Sequence, residues 1–309
     1  MTSTTLKLRG AGGEPVDLWR TIMSHGVASL PPMFIEEDAR TLTATVPLPQ
    51  CRPRTVKISE GRSGRARIEF MGSAPSERTK KEVVAAVKHI LALDRDMSDF
   101  YDVATQDPDL AWAATGAGRM IRSATVFEDV VKTICTTNCA WSGTERMVGA
   151  LVEHLGETAP GAPKTGPQGR AFPTPDVMAR AGENWYREVA RAGYRGAYLI
   201  ALARGVADGA IDLEELGNAP PDAISDDEVE ESLLALPGVG PYAAAHIMMI
   251  LGRHSRLILD SWTRPKFARL VGKKKVPDST IVRRFKRYGP HAGLAFWLFL
   301  TKDWVVDPA

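Results

Sequence analysis

The stretch from Ser225 to Leu251 constrains this chain more than any other, because its residues spell two helices joined by a turn too tight for most sequences. Ser225-Asp226-Asp227-Glu228 has capping-box spacing, with Ser225 expected as the N-cap of a helix running to about Ala235. Leu236-Pro237-Gly238-Val239-Gly240-Pro241 follows, in which the two glycines permit a sharp turn and close backbone approach. Pro241 suits the first position of a second helix, Pro241 to Leu251, which Gly252 ends. The alanines Ala243, Ala244 and Ala245 let a neighbouring helix lie close. A helix–Gly-x-Gly–helix corner leaves unpaired backbone N–H groups at a helix start, where phosphate oxygens bind readily. Taken alone, the same pattern also describes an ordinary corner in a helical protein.

The surrounding chain divides in two. Up to about residue 75 the pattern is β-rich: Thr41–Leu48, Thr55–Ser59 and Ala66–Phe70 alternate, with Gly61 and Gly64 marking a turn between the last two. After Pro75 the spacing becomes helical. Val83, Val84, Val87, Ile90, Leu91 and Leu93 fall on one face, and further helices are expected at 97–105, 126–139, 143–155, 175–181, 183–191 and 196–207. Thr158–Pro175 is rich in Pro and Gly and reads as a loop. The fold class expected is therefore α+β, mainly α. The domains expected are a β-rich unit at 1–75, a helical one at 76–230 and, at 231–309, the helix-turn-helix corner with C-terminal helices that complete a cleft.

Charge narrows the partners. The net charge is only +2, but Arg253–Arg287 holds twelve Lys/Arg against Asp260 and Asp278, a local excess of +10. Asp212–Glu231 carries nine acids and no Lys or Arg. A basic quarter behind an acidic segment suits a polyanion partner, or is simply solvated surface. Cys51, Cys135 and Cys139 build no disulfide framework and lack the companions of a zinc or iron–sulfur site, which fits a reduced, intracellular setting. Met1–Pro15 has no apolar core of a signal peptide, and the longest apolar runs, Ala243–Leu251 (interrupted by His246) and Ala292–Leu300, fall short of the ~20 residues a membrane helix needs.

Eighteen positions after Tyr242 stands Asp260, at the end of Leu257-Ile258-Leu259 and before Ser261-Trp262-Thr263-Arg264. By position alone it reads as a helix N-cap. Taken together, Leu236-Pro-Gly-Val-Gly-Pro-Tyr-Ala-Ala and Leu257-Ile-Leu-Asp260-Ser-Trp-Thr-Arg-Pro-Lys-Phe-Ala-Arg resemble the helix-hairpin-helix and Gly/Pro…Asp signature of DNA base-excision glycosylases. Val126–Asn138, Gly193-Tyr194-Arg195-Gly-Ala-Tyr198 and Tyr288–Trp297 resemble further segments of the 3-methyladenine glycosylase II and 8-oxoguanine branches, so the likeness covers most of the chain. The resemblance implies a small antiparallel β domain at the N-terminus and Asp260 as the catalytic carboxylate. Positive charge builds on the sugar as an N-glycosidic bond breaks, and a carboxylate beside it stabilises that charge and orients water. Asn138 is implied to fill the gap left by the flipped base. Tyr194, Arg195, Leu236, Gly238, Val239, Gly240 and Arg264 are implied to meet DNA, with a monovalent cation possible at the Leu236, Gly238 and Val239 carbonyls.

Departures from the family pattern set the subtype. Bifunctional relatives have a Schiff-base-forming Lys where this chain has Tyr242, which cannot do that chemistry. The resemblance therefore implies a monofunctional enzyme without β-lyase activity. Four Cys after the Asp mark the iron–sulfur branch, and none stands beyond Cys139 here, so no cofactor is expected. The polar residues with which 8-oxoguanine enzymes read their base align with His246 and Phe296. Tyr242, His246, Phe296 and Trp297 are expected to form the base pocket, an aromatic lining that favours cationic alkylpurines of the 3-methyladenine type. Oxidised or deaminated purines are the alternative substrates, and a non-catalytic DNA-binding module is the alternative from another class. The expected partner is double-stranded DNA bearing a damaged base, bound by a monomer in the cytoplasm and on the nucleoid, with no membrane.

Overall fold

The structure is a computed structural model describing residues 2–305. Five strands, β1 Ser3–Lys7, β2 Met33–Glu36, β3 Thr41–Leu48, β4 Cys51–Glu60 and β5 Arg65–Phe70, form one antiparallel sheet in the order β1-β5-β4-β3-β2. Leu42 faces Ile58, which faces Ile68, and all three are fully buried in one cross-strand row. Pro47 lies where the β3–β4 register shifts, as expected of a residue that cannot donate to the ladder. α1 Leu18–Ile22 and α2 Glu77–Ile90 cover the sheet, and α2 buries Val83, Val87 and Ile90 against it. The mixed α+β class and the antiparallel sheet agree with expectation. β1 and β2 are additions, too short for their alternation to be legible.

The helical body comprises α3 Ser98–Thr105, α4 Val126–Thr136, α5 Trp141–Leu155, α6 Pro175–Arg180, α7 Gly182–Glu188, α8 Arg195–Ala207, α9 Leu213–Asn218 and α10 Asp226–Leu234. It continues with α11 Pro241–Ile250, α12 Thr263–Leu270, α13 Asp278–Phe285 and α14 Ala292–Thr301. The capping box at Ser225 forms in both directions, with Ser225 N–H on Glu228 at 2.8 Å and Glu228 N–H on Ser225 at 3.3 Å. α4 ends earlier than expected because Thr137 is extended and Asn138 turns left-handed at φ 45°. Three apolar cores meet at α11. Ala243, Ala244, Ile247 and Met248 face the core of α4, α5 and α8; Ala245 and Met249 face that of α3 and α12–α14; Ile250 touches the core beneath the sheet. Every residue from Ala243 to Ile250 is buried, which explains why this helix is apolar all round. No helix among the described residues is long and apolar enough to cross a membrane.

Candidate active site

The N-terminal end of α11 opens onto a cavity of about 670 Å3. Its walls come from distant parts of the chain: the 3-10 turn at Gly26–Ser29, the end of α4, the start of α5, α11, the Leu259–Trp262 segment and α14. That volume is in the range of small-molecule sites. Tyr242, His246 and Trp297 line it as expected, and Asp260 stands in its wall. Phe296 does not. It points away from the cavity, fully buried against Phe267 and Phe285, because successive residues of a helix are turned about 100° from one another. Four lining aromatics were not anticipated: His25, Trp141, Trp262 and Trp304. His25 and Trp141 had no motif to mark them, whereas Trp262 lay two residues from Asp260 and was a readable signal.

Asp260 has two roles at once. Its Oδ1 accepts the N–H groups of Trp262 at 2.8 Å and Thr263 at 2.6 Å, and its own N–H donates to Thr263 Oγ1 at 2.8 Å. It is thus the cap that its position predicted, which fixes the carboxyl rigidly at the start of α12. Its Oδ2 makes no hydrogen bond among the described residues and remains available to the cavity. Among the described residues, Asp260 is the one Asp or Glu in the lining, and no Lys or Arg lines it. Burial holds the Tyr242 phenol above its ordinary pKa; the Thr136 hydroxyl acts against this, and the Asp260 carboxylate adds to the rise.

The aromatic walls are pinned from behind. Trp297 Nε1–H donates to the Ser24 carbonyl at 2.9 Å, and Trp262, Trp297 and Trp304 pack with ring centroids 5.6–5.8 Å apart. His25 stacks on Trp297 at 5.5 Å, and its Nε2 lies 3.1 Å from His246 Nδ1. Burial drives both imidazoles down to about 3, so both rings are neutral near pH 7. Val27 N–H donates to His25 Nδ1, which leaves the His25 proton on Nε2. His25 then donates to His246 Nδ1, and His246 carries its proton on Nε2. That nitrogen is buried with no acceptor among the described residues.

A second hollow of about 460 Å3 adjoins the first, sharing Asn138 and Tyr242 and lined also by Tyr194, Tyr198, Gly238, Val239 and Gly240. Gly238 is left-handed at φ +79°, and a Cβ there would stand 2.8 Å from the Tyr198 ring. Gly240 faces open space in extended backbone, so nothing inside the protein demands glycine there. The Leu236 carbonyl accepts Val239 N–H at 3.2 Å, while those of Gly238 and Val239 accept none among the described residues and fit a cation seat. Exposed Asn138 donates to Tyr194 Oη at 3.3 Å. Arg195 is placed differently from expectation: it is 7% exposed and donates to the Thr137 and Asn138 carbonyls, bracing the Asn138 turn from inside.

Charge is also redistributed. Arg264 forks onto Asp278 at 2.8 and 2.9 Å in an exposed ion pair. The acidic segment folds onto the basic one, pairing Arg253 with Asp226 and Arg256 with Asp227 and Glu230, while Lys266, Arg284 and Arg287 meet Asp303, Asp109 and Asp107. Of the basic residues in Arg253–Arg287, Arg269, Lys273, Lys274, Lys275, Arg283 and Lys286 have no ion pair among the described residues. Among the described residues, no group of three or more His, Cys, Asp or Glu could hold a metal ion.

No protein-family model matches the chain. Over 242 residues, 69% of this chain and 72% of the relative, it is 24% identical to a probable N-glycosylase/DNA lyase of Methanothermobacter thermautotrophicus. The apo-form of the Clostridium acetobutylicum 8-oxoguanine glycosylase/lyase superposes with a TM-score of 0.72 at 19% identity, covering 97% of this chain and 96% of that one. The 3-methyladenine DNA-glycosylase of Archaeoglobus fulgidus superposes at 0.71 with 20% identity, covering 99% and 100%.

Proposed function

We propose that this chain, which has the fold of the helix-hairpin-helix DNA glycosylases, is a monofunctional glycosylase of base excision repair. It binds double-stranded DNA as a monomer, turns a damaged purine into the aromatic cavity and hydrolyses the bond to deoxyribose, leaving an abasic site. The charge content of the cavity carries this reading: among the described residues a single carboxylate, Asp260, stands between aromatic walls with no amine in the lining. The free Oδ2 faces the charge that develops on the sugar and orients water toward it. The capped Oδ1 keeps the group from swinging away. Tyr242 offers no amine for a Schiff base, and the chemistry needs no cofactor. Asn138 fills the vacated stack, a role supported by its exposure on a left-handed turn where the two hollows meet. Gly238, Val239 and Gly240 present the hairpin to a phosphate.

Alkylated purines of the 3-methyladenine type fit best, since the lining offers π-faces from Trp262, Trp297 and Tyr242, each worth roughly 0.5–2 kcal/mol to a cationic base. A second reading has its own support. The buried His246 Nε2–H lacks an acceptor, which a base carrying a carbonyl oxygen, such as hypoxanthine or 8-oxoguanine, would supply. The test is a panel of duplexes bearing an alkylated purine, hypoxanthine, ethenoadenine or 8-oxoguanine opposite cytosine, scored for base release and for nicking with and without alkali. Release that needs alkali to nick is the expected result. Nicking without alkali, with covalent trapping by borohydride, would overturn the monofunctional reading.

A further inference from the structure

At the far end of α11 from the hairpin lies a separate hollow of about 430 Å3, bordered by Arg95, Arg119, Arg122, Arg253, His254 and His291. Four guanidinium groups stand there with four carboxylates, Asp94, Asp96 and Asp226 on the border and Glu14 against Arg119. Arg253 is satisfied, donating to Asp226 at 3.2 Å and to the Ile224 and Ala219 carbonyls. Arg119 is paired with Glu14 and donates to two carbonyls, leaving only its Nε unmatched. Arg95 and Arg122 are less well served. Arg95 places Nη2 on the Gly217 and Leu251 carbonyls, and its Nε has no acceptor. Arg122, 2% exposed, reaches Asp94 with Nη1 at 3.3 and 3.4 Å and leaves both Nε and Nη2 bare.

Eight side-chain nitrogens are buried without a partner among the described residues, and five of them, on Arg95, Arg119, Arg122 and His291, border this one hollow. A Cβ placed on Gly252 would stand 3.6 Å from Arg95 Nε and 3.8 Å from Arg122 Nη2, so two of the unmatched donors lie close together beside Gly252. Buried polar groups are ordinarily hydrogen-bonded, and a guanidinium removed from water without its acceptors is costly. The C-terminal end of α11 is the negative end of its dipole, about half a charge, so unmatched donors and not net charge would hold an anion here. Burial keeps His254 and His291 below their ordinary pKa, so near pH 7 they contribute N–H donors and not further charge.

We propose that this hollow is an oxyanion site, taking phosphate, free or as a small ester, between Arg95 and Arg122 with His291 as a neutral donor. The site lies apart from the hairpin, and α11 itself, ten residues long, separates them by about 15 Å. The proposal therefore stands whether or not the chain excises bases. The test uses the full chain in phosphate-free buffer, titrated with inorganic phosphate, a mononucleotide or chloride at matched ionic strength. Calorimetry is expected to find one phosphate site per chain, with a melting temperature raised by phosphate but not by chloride. Arg122→Gln and Arg95→Gln are each expected to weaken phosphate by tenfold or more, the loss of one charge-assisted hydrogen bond. Should either variant fold poorly, a crystal of the unaltered protein grown with selenate gives the same answer through anomalous density. Tighter binding of the mononucleotide would identify an ester, and equal or weaker binding a free oxyanion. Phosphate acting no differently from chloride, unchanged affinity in both variants, or density holding only water would overturn the proposal. Competition between phosphate and DNA for this site would overturn its separateness.

Discussion

Lowering the pH from 7 to 5 should destabilise this protein more than its carboxylates alone would suggest, because the folded chain refuses protons that the unfolded chain accepts. His246 and His254 are 8% and 9% exposed, and burial depresses both to about 3. An unfolded histidine titrates near 6.5. The stability that each neutral ring contributes is therefore fully present above about 6.5 and is lost as the pH falls toward 3. One such group loses about 1.4 kcal/mol per pH unit below that point, roughly 2 kcal/mol by pH 5. His25, held to about 3, and His89, held to about 4, have rings more open to water and add less. Asp129 works in the opposite direction: burial raises it to about 7, so the folded chain takes that proton first and recovers roughly 2 kcal/mol. From these three groups the net loss is on the order of 2 kcal/mol, which His25 and His89 enlarge, against a typical domain's 5–15 kcal/mol. Urea midpoints at pH 7, 6 and 5 measure it directly. His246→Gln removes one titrating group and should flatten the slope by close to one proton. Midpoints that do not move, or native-state imidazole signals that titrate near 6.5, would refute the reasoning.

Other expectations follow from single contacts. Gly238→Ala meets both the left-handed backbone and the Tyr198 ring, so it should lose on the order of 1–2 kcal/mol of stability and weaken binding to undamaged duplex, read by fluorescence anisotropy. Lys132→Ala leaves Glu128, 2.6 Å away and fully buried, without its counter-charge; a loss of about 3–5 kcal/mol in urea unfolding is expected, and Lys132→Met with Glu128→Leu should recover much of it. Trp297→Ala removes a wall pinned to Ser24, so release of an alkylated base should slow by tenfold or more in single-turnover assays while duplex affinity stays within about twofold.

Much of this was legible in the sequence because local rules and tertiary demands agree. The Ser225–Glu228 box, the left-handed Gly238 and Gly252, and Pro241 at a helix start follow from single-residue chemistry that the fold leaves unopposed. Asp260 was legible as both cap and cavity carboxylate because one atom serves each role. What the sequence concealed depends on rotation and on distance along the chain. Phe296 and Trp297 are adjacent, and only the packing of α14 decides which faces the cavity. His25 arrives from the β-rich unit, 221 residues from His246, with no motif to announce it. Charge counting could not foresee the pairing at Arg264, where the fold brings Asp278 onto its guanidinium.

The most direct measurement is Asp260→Asn in a single-turnover assay on a duplex carrying one alkylated purine, with affinity for the same duplex measured alongside. The amide keeps an oxygen for the N–H groups of Trp262 and Thr263 but removes the charge. The account predicts base release slowed by at least about a hundredfold, with affinity and melting temperature nearly unchanged. Release at the unaltered rate would contradict the role given to Asp260 and, with it, the reading of the cavity.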